Sequence, residues 1–139
     1  KGHLIVSQDT DGLTNPLEAA SMWAVRVQKP FFVGQRSLRI LQARGPRQLL
    51  VGLEIEGERV PRESHLIIDG GEIAGRLTSV TRSVTLDRTI ALAMVRPDLA
   101  VAGRDLAVRI EARALVGARV VPTPFYDPAG LRQQGGAAP

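Results

Sequence analysis

The spacing of apolar residues changes near Pro46, from a helical period before it to a strand period after it. Before Pro46, Asn15 carries the signals of a helix start, and the apolar spacing predicts that this helix continues to about Val27. A second helix is predicted over residues 35–43. The apolar triplet at residues 4–6 includes β-branched side chains and predicts a short strand near the start of the chain.

After Pro46 the apolar residues lie in short runs, some of which alternate with polar residues, separated by turns rich in Gly and Pro. Asp69-Gly70-Gly71 is a strong hairpin signal, and Gly52 indicates a bulge or a close backbone approach. The pattern predicts a mainly β protein: a small antiparallel six-stranded Greek-key-like barrel behind a short α-helical N-terminal segment. The predicted strands cover residues 49–55, 65–68, 72–80, 89–95, 104–112 and 113–121.

Composition narrows the range of functions. Hydrophobic residues make up 44% of the chain, which is enough for a core, and the absence of Cys excludes a disulfide scaffold and a Cys nucleophile. No apolar run approaches the ~20 residues that span a bilayer, so we expect a cytoplasmic protein with no membrane partner. With a net charge of +4 and only five aromatic residues, nucleic acid is not an expected partner either.

The opening segment resembles a calcium-binding loop. In SQDTDGLTNPLE, oxygen ligands would come from Ser7, Asp9, Asp11 and the closing Glu18, with Gly12 at the bend. However, Ser7 stands where a carboxylate is required, no second loop exists, and the preceding residues predict a strand where such a site needs a helix. A turn followed by a capped helix explains the segment without a metal, so no metal site is predicted.

The remaining chemistry-bearing residues do not form a catalytic set. His3 and His65 have no third partner at metal-ligand spacing, and no serine lies in a nucleophile-elbow motif. The glycines from Gly70 to Gly75 precede a predicted strand, so no helix N-terminus is available there to receive a phosphate. We therefore predict no catalytic residue in this chain.

Three aromatic residues allow two interpretations. Trp23 can be a core residue, and Phe125 with Tyr126 can plug the end of the barrel. Alternatively, these side chains form an aromatic wall for a flat heterocycle, to which Tyr126 would offer a hydroxyl. The residues alone leave both interpretations open.

The order of these motifs resembles that of a known family. The run DGLTNPLEAASMWAVRVQKPFFVGQRSL resembles the passage in which glycine cleavage T-proteins (aminomethyltransferases) leave the folate-binding body and enter the C-terminal barrel. GEIAGRLTSVTRSVTLDRTIALAMV is similar to the core of that barrel. Within the superfamily, KGHLIVSQDTDG and TPFYDPAGLR most resemble the alpha subunit of heterotetrameric sarcosine oxidase. The departures are Val84, where the family usually has Pro, and Asp127, where T-proteins tend to have a basic residue.

This resemblance implies a division of the chain and a cofactor. Residues 1–45 would end the folate-binding domain and provide linking helices, residues 46–127 would form the barrel, and residues 128–139 would be a flexible tail. The barrel would help enclose tetrahydrofolate, with Trp23, Phe125 and Tyr126 as the candidate contacts. The carboxylate that assists one-carbon transfer would lie upstream of this chain, and flavin and NAD would be bound only by other domains or subunits.

Two functions remain open under this resemblance. In one, the parent is a folate-dependent oxidoreductase or aminomethyltransferase: a flavin would oxidise an N-methylated glycine, and tetrahydrofolate would capture the one-carbon unit. In the other, the parent has lost its chemistry, and the barrel is a folate-binding or assembly module. The chain starts at Lys1, close to a predicted strand, so either a tag was trimmed or the chain is a piece of a larger polypeptide. Under the resemblance we expect a piece that packs against the rest of its parent and against partner subunits. An open strand edge and an apolar face would then allow the isolated piece to self-associate.

Overall fold

The computed structural model describes residues 2–111 and 114–133 of the chain. Lys1, residues 112–113 of the predicted last strands and residues 134–139 of the predicted tail lie outside the described residues. Within these residues the structure has one α-helix and six β-strands, together with short 3₁₀ turns at Met22–Ala24, Pro97–Leu99 and Leu131–Gln133. These elements are α1 (Gln35–Arg44), β1 (Leu49–Ile55), β2 (Leu66–Asp69), β3 (Glu72–Ser83), β4 (Arg88–Val95), β5 (Asp105–Arg109) and β6 (Leu115–Val121).

The six strands form a closed antiparallel barrel in the order β1-β4-β3-β2-β5-β6. Hairpins join β2 to β3, β3 to β4 and β5 to β6, while β1 lies beside β4, which gives the Greek-key arrangement. The predicted barrel is therefore confirmed, and so is the hairpin at Gly70 and Gly71, whose φ angles are 58° and 91°. Such positive φ values cost glycine little, which is why this pair favours a tight hairpin.

Strand β4 is buried on both of its faces, which explains its continuous apolar sequence. Ala91, Ala93 and Val95 point into the barrel core, and the alternate residues Leu92 and Met94 point outward but are also buried. The outward face is therefore covered by other parts of the chain. The chain segments before α1 and after β6 lie against this side of the barrel.

A bulge in β3 changes which side chains face the core. Leu77 pairs with Ala93 and Ser79 pairs with Leu92, so Thr78 is an extra residue with no partner of its own in the register. Leu77 and Val80 consequently both contact the core, while the Ser79 side chain between them makes a hydrogen bond to Asp9 in the N-terminal segment. This is the side-chain redirection that bulges commonly produce.

The strand predicted at residues 4–6 is wrong. Residues 4–6 do not form a strand: Val6 makes only an isolated bridge to Thr10, and a positive φ of 74° at Ser7 turns the chain.

The closed barrel also leaves no strand edge open among the described residues, so the expected open edge is absent. The physical reason is that each of the six strands already has two neighbours.

The helix predicted from Asn15 to Val27 is replaced by consecutive turns. The capping signals are present, because the Asn15 carboxamide oxygen accepts hydrogen bonds from the amides of Leu17 and Glu18. However, the left-handed φ of 52° at Ala20 ends the turn, and the Glu18 carbonyl accepts a 2.8 Å hydrogen bond from Leu50 in β1. Docking onto the barrel has replaced helix propagation. The second predicted helix is confirmed as α1, one residue longer than expected.

Candidate functional site

A cavity lies where the chain segments before α1 and after β6 meet the barrel. Its volume is about 630 Å³. Leu50 and Leu92 contribute the barrel wall, Ala20 and Trp23 the N-terminal wall, and Thr123 with other residues up to Gly130 the C-terminal wall. The polar groups on the wall come from His3, Ser21, Thr123 and Asp127. The cavity is therefore a mixed apolar and polar surface open to solvent on one side.

Trp23 stands on the wall of this cavity with most of its side chain in solvent. Its relative exposure is 87% in the 3₁₀ turn Met22–Ala24, so the interpretation of Trp23 as a core residue does not hold in this structure. A large exposed indole next to a cavity offers a flat apolar face without needing any rearrangement of the core.

Phe125 and Tyr126 are both half-buried but have different surroundings. Phe125 packs against the backbone of Gly52, so closely that a methyl carbon added at Gly52 would come within 2.9 Å of the Phe125 ring. The predicted close approach at Gly52 is thus confirmed, and no bulge interrupts its pairing with Leu92. Phe125 lines a second cavity, whereas Tyr126 lines neither of the two.

The Tyr126 ring is instead covered by a cation. The Arg132 guanidinium carbon lies 5.2 Å from the ring centroid, within the range of a cation–π contact. The Asp127 carboxylate accepts hydrogen bonds from the amides of Leu131 and Arg132, and this turn brings Arg132 back over the ring. The structure thus does not bring Trp23, Phe125 and Tyr126 together into one cavity wall: Trp23 lines the first cavity and Phe125 the second.

The second cavity, of about 370 Å³, contains a hydrogen-bond network that the sequence analysis missed. Ser79 donates a 2.6 Å hydrogen bond to Asp9, whose side chain is fully buried and also accepts one from the Ile5 amide at 2.8 Å. Gln8 donates to the Ser79 hydroxyl at 3.1 Å and to Glu63 at 2.6 Å. This network fastens the N-terminal segment to the bulged strand β3. No sequence signal links Asp9 to Ser79, which are 70 positions apart.

The three carboxylates of the opening segment, which resembles a calcium-binding loop, each have separate hydrogen-bond partners. Asp9 belongs to the network with Ser79, and the nearly buried Glu18 accepts a 3.3 Å hydrogen bond from the Arg47 amide. Asp11 accepts hydrogen bonds from the Thr14 hydroxyl and from the amides of Leu13 and Thr14, which hold the pKa of its carboxyl below the ordinary value. Across residues 2–111 and 114–133, no group of three or more His, Cys, Asp or Glu residues is arranged to hold a metal ion.

Residues 48–127 match the sequence profile of the glycine cleavage T-protein C-terminal barrel domain. The match covers more than half of the chain and contains all six strands of the barrel. The closed barrel and the matching sequence define one class of module, the C-terminal barrel of aminomethyltransferases. The chain belongs to the glycine cleavage T-protein family.

Individual relatives agree with this assignment. The chain is 43% identical over 123 residues to the aminomethyltransferase of Thermosynechococcus vestitus, a match that covers 88% of the chain and 33% of the relative. It is 41% identical over 138 residues to the aminomethyltransferase of Rubrobacter xylanophilus, covering 99% of the chain and 36% of the relative. The chain thus spans about a third of the length of these relatives.

A solved structure shows the same fold. The crystal structure of glycine cleavage system aminomethyltransferase T from Bartonella henselae superposes with a TM-score of 0.85 at 24% identity, over 91% of this chain and 36% of that one. These comparisons support the family and the fold. The resemblance to the sarcosine oxidase alpha subunit stays a prediction. Among the described residues, no helix has both the length and the apolar character to cross a membrane.

Proposed function

We propose that this chain is the C-terminal portion of a longer aminomethyltransferase-type protein and that its Trp23 face helps enclose tetrahydrofolate during one-carbon transfer. Support comes from the family and from the relatives, which are about three times as long as the matched region. In this proposal residues 1–45 complete the preceding domain and residues 46–127 are the barrel. The observation that carries the proposal is an exposed Trp23 on the wall of the cavity of about 630 Å³.

The residues at the cavity suit a folate. A volume of about 630 Å³ lies within the ~300–1,000 Å³ that is usual for sites of small organic ligands. The Trp23 indole offers a face on which a flat heterocycle or an aromatic ring can stack. His3, Ser21 and Thr123 offer donors and acceptors beside it, which matches a ligand that carries both ring nitrogens and polar substituents.

The role of this chain in the reaction is to bind and enclose. Tetrahydrofolate, when bound, supplies the nitrogen atoms that take up the one-carbon unit. Trp23 orients the ligand by stacking and removes one of its faces from water, and the apolar wall of Leu50 and Leu92 excludes solvent from the cavity. Tyr126 lies under Arg132 and lines neither cavity, and Phe125 packs against Gly52 at the second cavity, so the proposal assigns the direct contact in the first cavity to Trp23.

A more specific version of this proposal is that the parent oxidises an N-methylated glycine at a flavin. It rests on the similarity of the opening and closing segments to the sarcosine oxidase alpha subunit. In that form, flavin and NAD are bound by other domains or by partner subunits. The alternative is a T-protein-like parent in which the barrel binds folate but no one-carbon unit is transferred. An assay of catalytic turnover by the longer polypeptide distinguishes these two functions.

The test is the replacement of Trp23 by Ala in the longer polypeptide, with tetrahydrofolate affinity measured by calorimetry under reducing conditions. Loss of a stacking contact worth ~1–3 kcal/mol should weaken binding roughly 5- to 150-fold, and Trp23→Phe should restore most of the affinity. The denaturation midpoint should hardly change, because the side chain is exposed. Val84→Ala, at an equally exposed position away from the cavity, is the control. An unchanged affinity in Trp23→Ala would refute the folate role of this face.

A further inference from the structure

The distribution of acidic residues marks one segment of the chain as different. Between Glu18 and Glu54 the sequence contains no Asp or Glu, whereas it contains six cationic residues. Their charge exceeds the net charge of +4 of the whole chain, so the remaining residues are together net acidic. The cationic residues are Arg26, Lys29, Arg36, Arg39, Arg44 and Arg47.

These cations are exposed, and nearly all lack an acidic partner within the described residues. Arg47 lies 3.7 Å from the Glu18 carboxylate, and it is the only one of the six with such a neighbour among residues 2–111 and 114–133. By contrast, the arginines on the barrel strands are commonly paired, as Arg88 is with Glu54 and Arg119 with Asp105. The barrel surface is internally balanced, and the segment around α1 is not.

Apolar side chains are exposed in the same segment. Phe31 is 79% exposed and Val33 is 94% exposed, and Ile40 on α1 is 43% exposed. The loop that carries Phe31 and Val33 is fixed to α1, because the Gln35 side chain donates hydrogen bonds to the carbonyls of Val27 at 3.1 Å and Lys29 at 2.7 Å. Since Gln35 is itself buried, these contacts hold the apolar residues outward in a defined loop. An ordered loop that exposes large apolar residues is a typical docking surface.

We infer that this basic face, formed by Phe31, Val33, Arg36, Arg39 and Ile40, docks on an acid-rimmed apolar surface of the longer polypeptide outside this chain. The inference rests on the proposed function, in which the chain is the C-terminal portion of that polypeptide. The relatives carry about two thirds of their length beyond the matched region, which is enough chain to supply such a surface.

Charge decides between the possible occupants. A second copy of this chain would bring the same unpaired cations against each other, which opposes self-association through this face. Single-stranded nucleic acid would stack on aromatic side chains among the cations, and Phe31 is the only strongly exposed aromatic of the basic face. A surface with an acidic rim and an apolar centre complements both the cations and the exposed apolar side chains of the basic face.

The test compares amide hydrogen exchange of residues 29–44 in this chain and in the longer polypeptide. In the longer polypeptide the unaltered face should exchange at least tenfold more slowly than in this chain alone. Arg36→Glu/Arg39→Glu should abolish that protection and should lower the midpoint of interdomain dissociation in a salt titration. Arg59→Glu/Arg62→Glu makes the same charge change on the loop before β2 and should leave the protection intact.

The outcomes separate this inference from the proposed function. Equal exchange in the two polypeptides, or protection that survives Arg36→Glu/Arg39→Glu, overturns the docking inference. Protection of this chain alone that grows with its concentration, or on addition of a DNA oligonucleotide, assigns the face to another occupant and also overturns it. Tetrahydrofolate affinity is measured on the same samples: its absence in the unaltered longer polypeptide refutes the proposed function, whereas the exchange result still decides the docking.

Discussion

Replacing Ser79 by Ala should release the N-terminal segment from the barrel. Ser79 donates to the fully buried Asp9 carboxylate and accepts a hydrogen bond from Gln8. Ala at this position removes both hydrogen bonds and leaves Asp9 with the Ile5 amide as its remaining partner. The β3 bulge is a backbone feature, so the strand register itself should persist.

The expected cost follows from the two contacts. A hydrogen bond to a charged group contributes about 1.5–3 kcal/mol, and a neutral one contributes about 0.5–1.5 kcal/mol. Together they correspond to roughly 2–4.5 kcal/mol, or about a 30- to 2,000-fold shift in the local opening equilibrium of the segment. Because the barrel core is untouched, most of this should appear as local opening and not as a lower global stability.

Amide hydrogen exchange of Ile5 and Asp9, followed by NMR, measures this opening directly. Both amides make hydrogen bonds that exist only while the segment is folded as described. Thr81→Ala is the matched control: Thr81 lines the same cavity and its side chain makes no hydrogen bond within the described residues. Ser79→Thr, which keeps a hydroxyl, should restore protection. If Ser79→Ala changes exchange no more than Thr81→Ala does, the network does not hold the segment.

Three further predictions concern other parts of the molecule. Gly52→Ala should lower the free energy of unfolding by about 1–3 kcal/mol in a denaturant titration, because the new methyl would lie 2.6 Å from Thr123 and 2.9 Å from Phe125; Gly12→Ala, where the space is open, should be neutral. Thr14→Val should raise the pKa of Asp11 towards its ordinary value in an NMR titration, because the hydrogen bond from the Thr14 hydroxyl is lost. Asp98, whose pKa is lowered by its hydrogen bond with Arg96, is the control: a raised pKa of Asp98 in the same variant would show that the effect is not local to Thr14. Since the Asp11 pKa is lowered in the folded state, its contribution to turn stability is present at neutral pH and is lost as the pH falls through that lowered pKa. This chain alone should not turn over sarcosine or an aminomethyl donor with added tetrahydrofolate, and measured turnover would show that the chain carries a catalytic set of its own.

The barrel was predictable because its signals are local. Alternation of apolar and polar residues, the Gly70-Gly71 turn and the apolar run of β4 each act within a few positions of the chain. The structure of the first third of the chain was not predictable, because it depends on contacts with the barrel. Asn15 does cap a turn, but Leu50 takes the Glu18 carbonyl, and residues 4–6 find no free strand with which to pair.

The site was only partly predictable for a related reason. The residue type of Trp23 made it a candidate, but whether it would be buried or exposed depended on how the turn Met22–Ala24 lies on the barrel. The Asp9–Ser79 contact depends on the bulge at Thr78, because regular pairing would place Ser79 on the same side of the strand as Leu77. Such a contact follows from strand register, which no short stretch of sequence specifies.

Closure of the barrel also bears on how this protein would misassemble. Each strand lies between two neighbouring strands, so among the described residues the folded barrel leaves no whole strand edge as a template for adding a β-strand from another chain. The apolar run of β4 is the kind of segment that forms cross-β fibrils once it is released. Fibril growth should therefore be limited by the rate at which barrels open, and conditions that slow global unfolding should lengthen the lag phase even at high protein concentration.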